Sequence, residues 1–217
     1  MNEDLINYLN EIRRDFTGKP LNMETVHKNP MKQFEVWFEE ASNGELLDPY
    51  AMSLTTVNEK MQPSTRIVYM RGIKDEGFVF YTNYNSNKGK DLSENKLVSL
   101  NFFWGELERQ IRIEGKVNKV SEEDSDTYFA QRPRESQIGT WASNQSEYIN
   151  SRSELEEKVI YFTGKFKDVD VPRPEHWGGF IVNPTKIEFW QGRPNRLHDR
   201  IVYTKGSNDW KKSRLSP

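Results

Sequence analysis

Residues 187–200 read IEFWQGRPNRLHDR, a run with two aromatic residues, three arginines and one histidine. Residues 192–195 within it are typical of a turn, and their flanks predict the two arms of a β-hairpin. Side chains alternate between the two faces of a strand. The second arm should therefore place on one face Arg196, His198 and Arg200, and on the other face Leu197 and Ile201.

Two guanidinium groups beside an imidazole suit a planar, phosphorylated or otherwise anionic ligand. A guanidinium donates paired hydrogen bonds to an oxyanion and also stacks on rings. The alternative interpretation is a solvated hairpin edge that only carries charge. For an isolated Arg-x-His-x-Arg pattern, that alternative is the commoner outcome.

The composition fits one domain of ordinary size. Of 217 residues, 35% are hydrophobic and 12% aromatic, enough to bury a core without disulfides or metals. The formal net charge of −2 argues against general nucleic-acid binding, which usually requires a basic excess. We therefore expect no nucleic-acid partner.

Cysteine and histidine usage excludes several kinds of site. Without cysteine, the chain has no disulfide, no thiol nucleophile and no cysteine-ligated metal. The histidines are His27, His176 and His198, whose spacing is not that of metal ligands, so no metal is expected. No apolar run could span a bilayer and no signal-peptide pattern opens the chain, so a cytoplasmic protein without a membrane partner is expected.

Helix signals recur along the chain. Residues 1–16 carry Leu5, Leu9 and Ile12 at helical spacing, and a polar stretch that we expect to be flexible follows to residue 28. Asn29 and Pro30 then open a second helix as N-cap and first residue. Further helices are predicted at residues 86–95, 121–130 and 153–166, the last two from capping patterns at Ser121 and Ser153.

Strand signals dominate the rest of the chain. They predict strands at residues 51–57, 64–71, 78–82, 97–104 and 108–120, and again from Trp177 onward. Five or more antiparallel strands with short turns and outer helices indicate an α+β fold, mainly antiparallel β. Its architecture is expected to be a closed barrel or a compact sheet with peripheral helices.

One segment predicts a phosphate site from its residues alone. Arg132 precedes Pro133 and should leave the helical region, and Pro133 can begin a new helix. Ser136 would then lie in a first helical turn, where free amides favour anions, with Tyr128 and Arg132 nearby. The alternative is an ordinary capped junction between two helices.

Several segments together resemble the pyridoxamine/pyridoxine 5′-phosphate oxidases, flavin enzymes of vitamin B6 metabolism. The resemblance rests on Glu188–Gln191 followed by Arg196–Arg200, on Arg66–Arg71, and on Ile12–Phe16 and Arg214–Pro217. It covers nearly the whole chain and implies the split β-barrel FMN-binding fold and a homodimer with FMN at its interface. It also implies two regions: residues 1–28, a helix and flexible segment able to fold over the substrate, and residues 29–217, the split-barrel domain with its C-terminal hairpin.

The cofactor implied by this resemblance is FMN. Two of the implied ligands differ from the family pattern, since Arg71 stands where lysine is usual and Asn87 where arginine is frequent. The implied FMN ligands are Arg66, Ile67, Val68, Tyr69, Met70, Arg71, Tyr81, Thr82, Asn87, Lys88, Gln110, Gln145, Ser146, Trp190 and Arg200.

The implied substrates are phosphorylated B6 vitamers and O2. Arg132 and Ser136 would grip the 5′-phosphate, while Arg196 and His198 would be the catalytic pair that holds the pyridine ring. The implied substrate ligands are Arg13, Arg14, Asp15, Phe16, Arg71, Tyr128, Arg132, Ser136, Arg196, Leu197 and His198.

The reaction implied is that of a pyridoxal 5′-phosphate synthase. Pyridoxine 5′-phosphate or pyridoxamine 5′-phosphate would give a hydride from C4′ to the flavin, and O2 would be reduced to H2O2. The amine substrate would also release ammonia. Two alternatives stay open: a split-barrel flavin reductase fed by a nicotinamide cofactor, and a non-catalytic protein that binds flavin or pyridoxal phosphate.

Overall fold

The computed structural model describes residues 2–12, 14–207 and 209–217. In this part of the chain, no helix combines the length and apolar character needed to cross a membrane. The helices are α1 (Glu3–Glu11), α2 (Pro30–Ser42), α3 (Asn87–Glu94), α4 (Glu122–Ala130), α5 (Arg134–Ala142) and α6 (Arg152–Lys165). The strands are β1 (Ala51–Val57), β2 (Pro63–Tyr69), β3 (Gly72–Lys74), β4 (Gly77–Asn83), β5 (Leu97–Trp104), β6 (Arg109–Lys119), β7 (Trp177–Gln191), β8 (Asp199–Lys205) and β9 (Trp210–Leu215).

The chain packs into two compact units. The first unit comprises Met1–Pro49, Phe103–Arg112 and Ile187–Pro217, and the second comprises Tyr50–Phe102 and Ile113–Lys186. Strands β5, β6 and β7 contribute residues to both units. The division at residue 28 that the sequence suggests is a different one and stays a prediction.

The second unit is built on a sheet whose order is β2-β1-β5-β6-β7-β4-β3. Strands β2 and β3 are the first and the last in that order, although only Met70 and Arg71 separate them in sequence. The Met70 amide donates to Tyr50 O at 2.9 Å, and the Arg71 amide donates to Val79 O at 2.8 Å. The chain thus changes its partner from β1 to β4 within two residues, which closes the sheet into a barrel.

Large apolar side chains fill the interior of this barrel. Strand β1 has its predicted bounds and alternates buried and half-buried residues. Fully buried Phe78, Phe80, Leu100 and Phe102 supply the bulk, each worth about 1.5–3 kcal/mol on burial. A smaller core joins α4, α5 and the start of β7 through Phe129, Ile138, Phe166, Val171 and Trp177.

The first unit packs around α2. Asn29 caps this helix by accepting a hydrogen bond from the Met31 amide at 2.7 Å, and Pro30 is its first residue, both as predicted. Trp37 packs edge-to-face on Phe189 of β7, with ring centroids 5.2 Å apart. Strand β8 pairs with both β7 and β9, which completes the unit.

Two predicted helix boundaries are wrong. The first helix ends at Glu11 rather than residue 16, because Ile12 adopts an extended ψ of 118°. Its apolar residues Leu5 and Leu9 stay exposed, so no packed face lengthens the helix. The last helix is capped by Ser151 instead of Ser153, because the Ser151 hydroxyl accepts the Glu154 amide.

The predicted second arm of the hairpin is also wrong in part. Residues Pro194–Arg196 form a 3-10 turn, and β8 begins only at Asp199. Asn195 and Arg196 have φ values of 58° and 59°, in the left-handed region that a strand does not use. Leu197 is therefore exposed while Ile201 is fully buried, and Arg196 does not share a strand face with Arg200.

Candidate functional site

A cavity of about 490 Å³ opens in the second unit. Its described lining includes three cations, Arg71, Lys88 and Arg132, and no carboxylate, which favours an anionic ligand. Eleven sequence-predicted site residues line it: Ile67, Val68, Tyr69, Arg71, Tyr81, Thr82, Lys88, Tyr128, Arg132, Ser136 and Gln145. The lining also includes Asn83, Gly139, Thr140, Ser143 and Trp177, which sequence reasoning missed.

Lys88 forms one polar end of the cavity. Its ammonium donates to Gln145 Oε1 at 2.7 Å, to Thr82 Oγ1 at 3.2 Å and to Ser86 Oγ at 3.3 Å. All three acceptors are neutral. Burial, together with the positive charge of Arg66, lowers the pKa of Lys88 to about 8. A bound anion would raise this pKa and so favour the charged form of Lys88.

Arg66 is oriented by residues that sequence reasoning missed. Its guanidinium donates to Thr56 Oγ1 at 2.7 Å and to Ser64 Oγ at 2.8 Å. The Thr56 hydroxyl in turn donates to Asp91 Oδ2 of α3 at 2.6 Å. Thr56 is buried inside β1, so this chain of hydrogen bonds fixes the guanidinium from within the barrel.

Arg132 forms the second polar end. Its Nη1 donates to Thr140 Oγ1 at 2.7 Å, and its guanidinium carbon lies 4.6 Å from the Trp177 ring centroid. Burial lowers the pKa of Arg132, and the nearby charge of Arg71 lowers it further. Ser136 lies in the first turn of α5, as predicted.

Three parallel aromatic rings form an apolar wall of the cavity. Tyr81 stacks on Tyr128 with centroids 3.8 Å apart and on Trp177 at 5.5 Å. Burial is the main cause that raises the pKa of Tyr81, so its phenol stays protonated near neutral pH. The wall can pack against a planar ligand and offers hydroxyls at its edge.

Four cations at the cavity thus form two pairs of like charge. Arg66 and Lys88 repel each other at one end, and Arg71 and Arg132 repel each other at the other. The carboxylate of Asp91 partly compensates the charge of Arg66. Two separate anionic groups would relieve both repulsions.

A second cluster lies in the first unit. Phe16 meets Trp190 edge-on at a centroid distance of 5.7 Å and His198 at 5.0 Å. The Arg193 amide donates to His198 Nδ1 at 3.1 Å. Burial, with the charge of Arg196, lowers the pKa of His198. The imidazole is therefore neutral near pH 7 and carries its proton on Nε2.

Arg200 differs from the cavity cations because a buried carboxylate balances its charge. Its Nε donates to Glu188 Oε1 at 2.7 Å, and its Nη2 donates to Oε2 at 3.2 Å. Arg112 also approaches Glu188, at 3.4 Å. Glu188 raises the pKa of Arg200 through the hydrogen bond and its charge.

The other predicted ligands lie outside the cavity lining. Met70 is buried in the link between β2 and β3, Asn87 is the first residue of α3, and Ser146 has a φ of 75° in the loop after α5. Arg13 lies outside the described residues. Arg66 of β2 also lies outside the lining. The other predicted ligands belong to the first unit: Arg14, Asp15, Phe16, Gln110, Trp190, Arg196, Leu197, His198 and Arg200.

The fold defines a split-barrel protein of the flavin-binding type. The solved structure of PhzG from Burkholderia lata, in complex with tetrahydrophenazine-1-carboxylic acid, superposes with a TM-score of 0.86 and is 28% identical, covering 92% of this chain and 99% of that one. A pyridoxamine 5′-phosphate oxidase-related, FMN-binding protein from Nostoc punctiforme shares the fold, with a TM-score of 0.70, 12% identity, and coverage of 87% and 98%.

The family follows from the sequence comparisons. Residues 38–164 match the family model for pyridoxamine 5′-phosphate oxidase, and residues 177–217 match the pyridoxine 5′-phosphate oxidase C-terminal dimerisation region. A pyridoxine/pyridoxamine 5′-phosphate oxidase from Cytophaga hutchinsonii is 50% identical over 211 residues, 96% of this chain and 98% of the relative. One from Actinobacillus pleuropneumoniae is 49% identical over 209 residues, 96% and 99% of the two chains.

The chain belongs to the pyridoxine/pyridoxamine 5′-phosphate oxidase family, and is an oxidoreductase of vitamin B6 metabolism. The predicted family and fold class are thereby confirmed. The match of residues 177–217 to a dimerisation region supports a homodimer.

Proposed function

We propose that the protein oxidises pyridoxine 5′-phosphate and pyridoxamine 5′-phosphate to pyridoxal 5′-phosphate, with FMN as cofactor and O2 reduced to H2O2. The observation that carries this proposal is the presence of two cation pairs beside one cavity whose described lining has no carboxylate. Two pairs suit two phosphate monoesters, one on the cofactor and one on the substrate. Membership in the family supports the same assignment.

The residues around Lys88 fit the phosphate of FMN. Lys88 and Thr82 supply a charge and a hydroxyl from the lining, and Arg66 supplies a second charge near Lys88. FMN held by these residues would supply the hydride-accepting and O2-reducing chemistry of the oxidation. From the resemblance, we propose that Gln110, Gln145, Ser146, Trp190 and Arg200 contribute further contacts, at the interface of a homodimer.

The residues around Arg132 fit the substrate phosphate. Arg132 is held in place by Thr140 and Trp177, so little entropy is lost when it binds an oxyanion. Tyr128 and Ser136 add hydroxyl donors. We assign the pyridine ring to Arg196 and His198, since His198 offers a single N–H donor at Nε2 while its Nδ1 is occupied.

The test is an anaerobic titration of the purified yellow protein with pyridoxine 5′-phosphate, followed by flavin absorbance. Bleaching that air reverses would support the proposal. A flavin that stays oxidised with both B6 substrates but bleaches with NADH would indicate a flavin reductase. Tight binding of pyridoxal 5′-phosphate with no bleaching by any donor would indicate a storage or sensing protein.

Affinity for FMN should fall as the pH rises above about 8. Free Lys88 loses its proton near that pH, and a phosphate dianion favours the charged lysine. Below the pKa that Lys88 has without FMN, the lysine is already charged, so the affinity for FMN should not depend on pH. Above it, the FMN dissociation constant should rise up to about tenfold per pH unit.

Quenching of flavin fluorescence at pH values from about 7 to about 9.5 measures this dependence in the apoprotein. The matched control is Lys88→Arg, whose guanidinium stays charged across the range and should give a level profile. A level profile in the unmodified protein would remove Lys88 from the phosphate site.

Thr56→Val should weaken FMN binding without reducing kcat at saturating FMN. The change keeps the side-chain volume but removes the hydroxyl that joins Arg66 to Asp91. The loss of the charge-assisted hydrogen bond to Arg66 predicts a rise of about tenfold in the FMN dissociation constant. Thr55→Val is the matched control, because the Thr55 hydroxyl forms its hydrogen bond with the Thr65 hydroxyl instead. Equal dissociation constants for the two variants would contradict the orienting role of Thr56.

A further inference from the structure

One buried carboxylate holds the segment formed by residues 14–18. Glu108 follows a 3-10 turn, has a φ of 54°, and is only 8% exposed. Its Oε2 accepts hydrogen bonds from the Thr17 amide at 2.8 Å and the Gly18 amide at 2.7 Å, and its Oε1 accepts one from Arg14 Nη2 at 3.1 Å. Bonds to a charged acceptor are the stronger kind, so Glu108 is a major anchor of this segment.

Gly18 also lets the segment pack closely against Gln191 and Gly192. A Cβ on Gly18 would lie 2.2 Å from Gln191 Nε2 and 2.7 Å from Gly192 O. Arg193 Nη1 donates to Gly18 O, so both sides of this glycine are bonded. No larger residue fits position 18 unless the segment moves.

A second glycine, Gly192, makes room for the ring of Phe16. A Cβ on Gly192 would lie 2.4 Å from Phe16 Cδ1, so the absence of a side chain at position 192 makes room for the ring. The ring then stands edge-on to Trp190 and His198. The segment therefore covers two residues to which the proposed function gives cofactor and substrate contacts.

We infer that Glu108 is a positioning residue for the oxidation, because it holds residues 14–18 where Phe16 covers Trp190 and His198. The role of the covered residues rests on the proposed function. The attachment by Glu108 rests only on the contacts above. Glu108 acts through the Thr17 and Gly18 amides and is not itself required to touch the substrate.

The test compares Glu108→Ala with Glu106→Gln in the FMN-loaded protein. Glu106 lies on the same 3-10 turn but is exposed, so it is a matched control. Hydrogen exchange at the Thr17 and Gly18 amides should become at least about tenfold faster in Glu108→Ala and stay unchanged in Glu106→Gln. Amides of β8 and β9 report whether the unit remains folded.

Steady-state kinetics provide the second measurement. KM for pyridoxine 5′-phosphate should rise about tenfold in Glu108→Ala, while kcat changes by less than about twofold and bound flavin stays constant. Gly18→Ala should give the same pattern with the carboxylate intact, which covers the case in which Glu108→Ala does not fold.

The outcomes separate the two claims. Unchanged exchange at residues 17 and 18 overturns the inference, whatever the activity. Faster exchange with an unchanged KM also overturns it, because Glu108 would then be structural only. If the unmodified protein oxidises neither B6 substrate, the proposed function fails, while faster exchange in Glu108→Ala would still establish the attachment.

Discussion

Arg196→Ala is expected to lower kcat about 100-fold while leaving the bound flavin unchanged. Arg196 is exposed, and among the described residues its side chain has no hydrogen-bond partner that would be lost. Alanine tolerates the left-handed φ of 59° no worse than arginine, so the turn should persist. The loss should therefore fall on positioning of the substrate ring, an effect that reaches this size when orientation is disturbed.

Steady-state kinetics, together with flavin content by absorbance, measure this result. Removing the charge of Arg196 should also raise the pKa of His198, since that charge helps to lower it, and NMR titration can follow the imidazole. Arg152→Ala, at an exposed position on α6, is the surface control. A loss of flavin that parallels the loss of kcat would contradict the assignment of Arg196 to the substrate.

Elements with strong local signals could be predicted from the sequence. Strand β1 matches its predicted bounds because a run of strand-forming residues ends there at the turn residues 58–61. Helix α2 begins as predicted because Asn29 and Pro30 satisfy its first turn locally. The predicted second arm of the hairpin was wrong for a local reason as well. Pro194 begins a 3-10 turn, and this turn displaces Arg196 from the strand.

The parts that depend on distant contacts could not be predicted in this way. The change of partner at Met70 and Arg71 depends on which strands pair with each other, and no local pattern identifies that pairing. Glu108 is about 90 residues from the amides that it binds, and nothing in its neighbourhood marks it as buried. The place of Ser136 in a first helical turn could be predicted because Pro133 precedes that helix, whereas Thr140 and Trp177 carry no comparable signal.

Arg132→Ala is expected to raise KM for pyridoxine 5′-phosphate about 100-fold, with a much smaller effect on kcat. The change removes the cation that Thr140 and Trp177 hold in place, and it leaves Arg71 as the remaining charge at this end of the cavity. The loss of a charged, bidentate contact with a phosphate is worth about 2–3 kcal/mol, which corresponds to this factor. FMN content should stay constant, because the Lys88 end of the cavity is untouched.

The sharpest control for Arg132 is a substrate without the phosphate. Unphosphorylated pyridoxine offers no oxyanion to this guanidinium, so Arg132→Ala should change its kcat/KM by less than about twofold. Preference for the phosphorylated substrate should thus collapse in the variant. Thr140→Val, which only loosens Arg132, should give an intermediate rise in KM. An equal loss with both substrates would mean that Arg132 supports the fold, and an unchanged KM would place the substrate phosphate elsewhere.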